Sequence, residues 1–132
     1  MSKALDFLKK AGVFYLATVE GDEPRVRPFG FITEYEGKLT FVTGNQKKVF
    51  AQLKANPRVQ ISATAESGEW IRLTGKAVFN STREAKTAIL EEAPVLKKIY
   101  SVDDGIFEVF YITDGEAVFT GKDKSVYTEK VK

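Results

Sequence analysis

The sequence predicts a mainly β protein, an antiparallel β-barrel with flanking α-helices. About seven short segments are apolar, β-branched or alternating, as strands are. Most of them are separated by turn residues of the kind that close hairpins, and hairpins pair antiparallel. A small antiparallel sheet commonly closes into a barrel because closure removes its edge strands. The 132 residues suit a single domain spanning 1–132.

Two helices are predicted in the first half of the chain. One covers 3–11, where apolar residues share one face and lysines lie mostly elsewhere. The other covers 47–56, where Val49, Phe50 and Leu53 form an apolar stripe. A glycine follows the first helix and a proline follows the second, and both residue types commonly lie just past a helix end.

Three strands are predicted around these helices, at 13–19, 25–33 and 39–43. The first is apolar and partly β-branched, which is typical of a buried strand. Pro28 lies within the second strand. Because proline cannot donate a ladder hydrogen bond, we expect position 28 at an edge, at a bulge or in a gap between strands.

The middle of the chain predicts two longer strands and a third helix. The strands cover 59–65 and 70–79, and Gly75 predicts a bulge or bend in the second of them. A capping box at 81–84 begins the helix, which continues to about Glu92.

The last part of the chain predicts a short helical piece from Pro94 and then a hairpin. A strand over 106–112 is followed by Asp114-Gly115, a strong signal for a tight turn, and 116–120 pairs back. The tail from Lys122 is mostly polar, and no element is predicted there.

Composition and charge exclude several function classes. The chain has 20 basic and 18 acidic residues, a net charge of +2, so it lacks the basic excess of a nucleic-acid binder. It has no Cys and no His, which excludes disulfides, thiolate catalysis, Cys-ligated zinc and a Ser-His-Asp triad. No apolar stretch approaches the roughly 20 residues that span a bilayer, and no signal-peptide core is visible. We therefore expect a cytoplasmic protein with no membrane partner.

A candidate phosphate site lies where the strand at 39–43 passes into the next helix. The sequence there, from Thr43 to Lys48, is TGNQKK. A helix N-terminus offers unpaired N–H groups and a partial positive charge, so phosphate binds well there. The alternative is a capped helix with two solvated lysines. Because lysines at a helix start oppose the dipole, their presence favours a bound anion.

A second candidate group is RVRPF, in the preceding strand. Alternation places Arg25 and Arg27 on one face, so two cations suited to phosphate contact lie side by side. Pro28 leaves a gap in backbone pairing that a planar ligand could occupy. Trp70 begins a strand after a turn and is a candidate stacking residue at a rim. The alternatives are a solvated edge face for the arginines and a core position for Trp70.

The order of these segments resembles the FMN-binding split-barrel family related to pyridoxamine 5'-phosphate oxidase. The resemblance covers about residues 3–120, and its most specific part is LTFVTGNQKKVFAQLKANPRVQIS. The segments RVRPFGF, WIRLTGKAVF and EVFYITDGEAVF support it. The true oxidase carries a C-terminal Arg and His segment for its substrate, and this chain has no His. The resemblance is therefore to the short flavoproteins of the family, and it implies a homodimer with FMN in clefts at the subunit interface.

The resemblance also implies which residues bind FMN. Arg27, Pro28 and Phe29 line the flavin, largely through backbone atoms, and Val42 and Thr43 follow on the next strand. Others contact the phosphate or the adjoining chain: Arg25, Asn45, Lys47 and Lys48, with one of the two lysines in direct contact. Trp70 and the final hairpin come from the partner subunit or cap the ring.

The main functional hypothesis is an FMN-dependent oxidoreductase that passes electrons from NADH or NADPH to a small-molecule acceptor. The cofactor carries the chemistry, because the chain offers no His or Cys. No catalytic side chain and no metal site are predicted, since no carboxylate pair or ligand cluster is apparent. The alternatives are a flavin carrier without turnover, a deazaflavin- or haem-binding split barrel, and a nucleic-acid-binding barrel, which the charge disfavours.

Overall fold

The computed structural model describes residues 2–132, in which eight antiparallel strands form one sheet with three α-helices packed around it. The helices are α1 (Lys3–Ala11), α2 (Lys48–Ala55) and α3 (Arg83–Glu92), and a short 3-10 helix (Pro94–Lys98) follows. The strands are β1 (Phe14–Glu20), β2 (Glu23–Phe29), β3 (Thr33–Tyr35), β4 (Lys38–Gly44), β5 (Arg58–Thr64), β6 (Trp70–Phe79), β7 (Phe107–Thr120) and β8 (Val126–Val131). None of the described helices is both long and apolar enough to cross a bilayer.

The sheet curls into a split barrel. Its strand order is β2-β1-β5-β6-β7-β4-β3, with β8 paired to the second half of β7. The two ends of the sheet meet through aromatic packing: Phe14 on β1 lies 5.9 Å from Phe41 on β4, between ring centroids. Phe29 on β2 likewise lies 6.2 Å from Phe110 on β7. In the described strands no ladder joins β2 to β3 or β4, so β2 and β3 remain edges. The predicted mainly β antiparallel barrel with flanking helices is confirmed.

The barrel interior is filled by apolar side chains from strands and helices. On α1, Leu5 and Leu8 are buried, and the Ser2 hydroxyl caps the helix by accepting from Leu5 N at 3.0 Å. On α2, Val49 and Leu53 join the same core. Burying a leucine contributes about 1.5–3 kcal/mol, which holds both short helices on the barrel. A second, smaller cluster joins α3 to the first half of β7.

Strand β7 runs without interruption over Phe107–Thr120, so the tight hairpin predicted at Asp114-Gly115 is wrong. The two residues form a bend inside the strand, opposite the register shift at Gly75 of β6, where the predicted bulge is confirmed. Close backbone contact requires a glycine here, since a Cβ on Gly115 would lie 1.7 Å from Thr74 O. The bend allows the first half of β7 to pair with β4 and the second half with β8.

The strand predicted over 25–33 is divided in two. It ends at Phe29, and Thr33–Tyr35 forms a separate short strand that pairs with β4. Pro28 lies in β2, an edge strand, which is one of the three positions expected for it. Because no described strand pairs with the outer side of β2, the missing N–H of the proline costs no ladder hydrogen bond on that side.

The polar tail and the start of α3 also differ from expectation. The tail contains β8, which the sequence does not predict because its side chains are mostly exposed and lack apolar alternation. Helix α3 begins one residue later than the capping box implies. Thr82 is the N-cap and accepts from Ala85 N at 3.1 Å, whereas the Ser81 hydroxyl donates to Glu108.

We expect Gly115→Ala to destabilise the fold strongly, because the new methyl group would overlap the Thr74 carbonyl and force β6 and β7 apart. The expected loss is about 3 kcal/mol or more of unfolding free energy, measured by urea denaturation. Gly30→Ala is the matched control. Its Cβ would meet only Gly12 O, at 3.8 Å, so its stability should stay within about 0.5 kcal/mol of wild type. Equal stability of the two variants would contradict this account of the bend.

Candidate functional site

An open cleft forms where the end of β1 and the edge strand β2 meet the start of α2. Its volume is about 380 Å³. Four of its eight lining side chains are cationic and one is anionic. Like-signed charges that line a cleft reinforce one another's field, so this cleft attracts anions. The lining residues are Glu20, Arg25, Val26, Arg27, Lys47, Lys48, Val49 and Gln52.

The pairing of β1 with β2 brings two arginines to this cleft. Arg27 lies opposite Leu16, and Arg25 lies opposite Thr18. Residues directly opposite each other in a sheet share one face. Leu16 and Thr18 are both buried, so the two arginine side chains leave β2 on the face that α2 covers.

The start of α2 adds further positive charge. Lys47 is the N-cap residue without a side-chain capping bond, Lys48 is the first helical residue, and the first turn contains no acidic residue. The backbone N–H groups of Lys48 and Val49 find no acceptor among residues 2–132. Unpaired amides at a helix start, with lysines beside them, form an arrangement that binds anions.

Arg27 is fixed by hydrogen bonds to neutral oxygen atoms. Its Nη1 donates to Thr18 Oγ1 at 2.8 Å and to Leu16 O at 3.3 Å, and its Nη2 donates to Gln52 Oε1 at 2.5 Å. Thr18 Oγ1 also donates to Gln52 Oε1, at 2.5 Å. Burial lowers the pKa of Arg27, and attraction to Glu20 acts in the opposite direction. The guanidinium still carries its charge at neutral pH, because the ordinary arginine pKa is far above 7.

Arg25, in contrast, is exposed and paired with carboxylates. Its Nε donates to Glu20 Oε1 at 2.9 Å, and its Nη2 lies 3.7 Å from Glu23 Oε2. The hydrogen bond from Arg25 lowers the pKa of Glu20, and Gln52 and Lys48 lower it further. Exposed ion pairs contribute little to stability, so Arg25 can exchange Glu20 for another anion at small cost.

Of the residues predicted to lie at the flavin, Arg27 lines the cleft and the other four lie outside its lining. Pro28 is exposed on β2, while Phe29 packs inward with its ring centroid 6.3 Å from that of Phe14. On β4, Val42 is half-buried against the second core cluster. The Thr43 hydroxyl is buried and has no hydrogen-bond partner among the described residues, which is uncommon in folded proteins. It leaves an unused donor at the end of β4, shortly before α2 begins.

Asn45 is held by the loop that precedes β7. Its Nδ2 donates to Gly105 O at 2.7 Å and to Glu108 Oε2 at 2.9 Å, so both side-chain N–H bonds are used. Its backbone N–H donates to Ile106 O at 2.9 Å. The loop that leads into α2 is therefore fastened to the barrel through Asn45.

Trp70 lies away from the cleft. It pairs with Thr64 and Thr120 at the start of β6, and the Arg72 guanidinium lies 5.0 Å from its ring centroid. Within the part of the chain that the structure describes, no group of His, Cys, Asp or Glu side chains could hold a metal ion. Of the predicted site residues, the structure brings together four in one cleft: Arg25, Arg27, Lys47 and Lys48.

Sequence reasoning missed Thr18, Glu20 and Gln52. One signal could have identified Gln52: it follows Val49 by three positions, so a polar residue lies on the buried face of α2. Phe50, assigned to that face by the sequence, instead packs at the side against Phe79, with ring centroids 4.9 Å apart. Glu20 and Thr18 carry no comparable signal, because their roles depend on pairing between strands.

The sequence matches a known family along most of its length. Residues 1–113 match the family model described as Pyridoxamine 5'-phosphate oxidase. The chain belongs to this family. The resemblance stated from its motifs is thereby confirmed. No curated protein matches the sequence significantly.

Several solved structures share the fold. A NimC/NimA family protein from Clostridium acetobutylicum is 53% identical, with a TM-score of 0.90, over 96% of this chain and 91% of that chain. A pyridoxamine 5'-phosphate oxidase-related, FMN binding protein from Nostoc punctiforme is 16% identical, with a TM-score of 0.67, over 96% and 90% of the two chains. A heme binding protein from Mycobacterium smegmatis is 17% identical, with a TM-score of 0.75, over 98% and 58%. The last two show similarity of fold alone.

We expect Asn45→Ala to lower the unfolding free energy by about 1–2 kcal/mol, because it removes the hydrogen bonds that Gly105 O and Glu108 Oε2 accept. Urea denaturation measures this loss. Asn80→Ala is the control: Asn80 donates its backbone N–H to Val109 O, but its side chain bonds to no other described residue. A wild-type stability for Asn45→Ala would show that the loop is not held through this side chain.

Proposed function

We propose that the protein binds FMN with the phosphate at the start of α2. The observation that carries this proposal is the charge of the cleft, where cations surround backbone N–H groups that have no acceptor. A phosphate monoester carries about −1.5 to −2 charges at pH 7, so it suits such a cleft. Lys47 and Lys48 bind the phosphate oxygens, and Arg25 exchanges Glu20 for the ligand. Asn45 supports the loop rather than the phosphate, because its donors are already used.

The flavin ring in this proposal lies along β2. Because β2 is an edge strand, it leaves backbone N–H and C=O groups unpaired near Arg27, Pro28 and Phe29, where a polar ring edge can bond. Thr43 on β4 offers a hydroxyl without a partner. Trp70 covers the ring from the partner subunit, since in its own subunit it does not line the cleft.

The composition favours FMN over haem, the other ligand that a relative's description suggests. The Nostoc punctiforme neighbour is described as FMN binding and the Mycobacterium smegmatis neighbour as heme binding. This chain has no His and no Cys, and its single methionine is Met1, so the usual axial ligands of haem iron are reduced to that methionine and five tyrosines. The cations of the cleft suit a phosphate. A deazaflavin phosphate presents the same group, and the mass of the extracted ligand distinguishes it from FMN.

We further propose that the protein is a cytoplasmic oxidoreductase. Bound FMN would supply the chemistry, which is hydride transfer from a reduced nicotinamide nucleotide and delivery of both electrons to a small acceptor. The side chains bind and orient the ring, because the chain has no His or Cys to act as an acid, base or nucleophile. The near-balanced charge of +2 favours a small-molecule substrate over a nucleic acid.

The proposed assembly is a homodimer with FMN at the subunit interface. Tyr15 on β1 and Val26 on β2, which also lines the cleft, are 52% and 67% exposed, and Val13 just before β1 is 54% exposed. Adjacent exposed apolar side chains on a sheet commonly mark an interface. A second subunit over this face would cover both the apolar side chains and the ring.

The test of FMN binding is the absorbance spectrum of the purified protein, with the mass of the extracted ligand. A flavin spectrum and the mass of FMN are expected. Bleaching by NADH or NADPH, followed by reoxidation with an added acceptor, then separates an oxidoreductase from a carrier. A colourless protein that takes up no added FMN in calorimetry would end the proposal.

The double variant Lys47→Ala, Lys48→Ala should weaken FMN binding, measured by quenching of flavin fluorescence. The loss is a few kcal/mol at most, since each charged hydrogen bond is worth roughly 1.5–3 kcal/mol. The matched control is Lys97→Ala, Lys98→Ala, which removes the same charge from the exposed 3-10 helix. Unchanged FMN affinity in the first double variant would show that the phosphate does not bind at the start of α2.

Tyr15→Glu should shift the wild-type dimer to monomer in sedimentation experiments and weaken FMN binding by about tenfold or more, because a charge then replaces buried apolar surface. Val95→Glu changes a more exposed apolar residue, at 65%, on the 3-10 helix and should leave the dimer intact. A wild-type monomer that binds FMN tightly would overturn the assignment of the site to an interface.

A further inference from the structure

Arg27 forms no ion pair with a described residue, although Glu20 attracts it from a longer distance. Its three hydrogen-bond acceptors, Leu16 O, Thr18 Oγ1 and Gln52 Oε1, are all neutral. Among residues 2–132 no carboxylate oxygen lies within ion-pair distance of it, whereas Arg25 has two such partners. A half-buried cation without a counter-ion is costly unless something else supplies negative charge.

Gln52 is the residue that leaves this charge intact. Its side chain is 4% exposed on the face of α2 that otherwise carries Val49 and Leu53. Its Oε1 accepts from both Arg27 and Thr18. A leucine at this position would lose the hydrogen bonds, and a glutamate would keep them while cancelling the arginine charge. A neutral amide keeps the hydrogen bonds and leaves the charge of Arg27 in place.

We propose that Gln52 is a positioning residue that determines the charge preference of the cleft. Its amide fixes the Arg27 guanidinium beneath the first turn of α2 without neutralising it. The site therefore selects a flavin that carries a phosphate over the same ring and ribityl chain without one. The inference rests on the proposed FMN function. Arg27 acts through its electric field rather than by direct contact, because both its Nη atoms already donate to protein oxygens.

A purely structural role for Gln52 makes a different prediction. If the network of Thr18, Arg27 and Gln52 only stabilises the fold, then Gln52→Glu keeps an acceptor at the same place and strengthens the bond to Arg27. Ligand preference would then stay as in wild type. If the network instead preserves the charge of Arg27, the same variant stays folded but loses affinity for the phosphate.

The experiment compares FMN with riboflavin, which lacks the phosphate, in fluorescence titrations of wild type and Gln52→Glu. The ratio of the two affinities should fall by about tenfold or more in the variant, through loss of FMN affinity, while riboflavin affinity stays within about twofold. The melting temperature should be unchanged or higher. Gln60→Glu is the control, because it makes the same charge change at an exposed position of β5.

The outcomes separate this inference from the proposed function. A wild-type affinity ratio in folded Gln52→Glu overturns the inference and leaves FMN binding standing. Wild-type protein that binds neither flavin overturns the proposed function, and the inference with it. Should Gln52→Glu fail to fold, Arg27→Gln provides the same test. If the charge of Arg27 selects the phosphate, this variant lowers the ratio of FMN affinity to riboflavin affinity. Equal weakening of both affinities would indicate simple damage to the cleft and would overturn the inference.

Discussion

The hydrogen bonds of Arg27 determine how the candidate site is assembled. They join β2, which carries the arginine, to β1 through Thr18 and to α2 through Gln52. Gln52 lies one turn into α2, so the same bonds fix the first turn of that helix, with its unpaired N–H groups, beside the edge strand. The guanidinium suits this task because its planar fork can serve two elements at once. Apolar packing of Val49 and Leu53 holds α2 on the barrel, but it does not specify the rotation of the helix this closely.

The two arginines of β2 have opposite surroundings although they lie two residues apart. Arg27 is half-buried and bonded to neutral oxygens, while Arg25 is exposed and paired with Glu20 and Glu23. The first therefore provides a fixed charge, and the second provides a charge that a ligand can recruit from its present partner. In the proposed function Glu20 would compete with an incoming phosphate for Arg25, so the affinity of the cleft would depend on both arginines and on this carboxylate. A cleft built from exposed pairs alone would bind anions less selectively, because solvent and salt screen such pairs.

The sequence predicts much of the fold because local signals and packing agree along most of the chain. Alternation and turn residues identify most strands, and an apolar stripe identifies α2. The errors arise where long-range pairing overrides a local signal. Asp114-Gly115 favours a hairpin by itself, yet contact with Thr74 O makes it a bend in a continuous strand. In the candidate site, strand alternation correctly groups Arg25 with Arg27, but Thr18 and Gln52 reach Arg27 only through the tertiary fold.

The two lysines at the start of α2 lower the stability of the helix, although they suit the proposed binding of an anion. A cation near a helix N-terminus is unfavourable by about 0.3–1 kcal/mol, and two occur here without an acidic residue in the first turn. The Arg27 charge adds a further unfavourable term, since it is partly buried without a counter-ion. A phosphate ester bound as proposed would reverse the sign of all these terms together, because the same cations and N–H groups would then face negative charge. Under the proposed function the free energies of folding and of ligand binding are therefore coupled, because the charges that are unfavourable for the helix are the ones proposed to bind the phosphate.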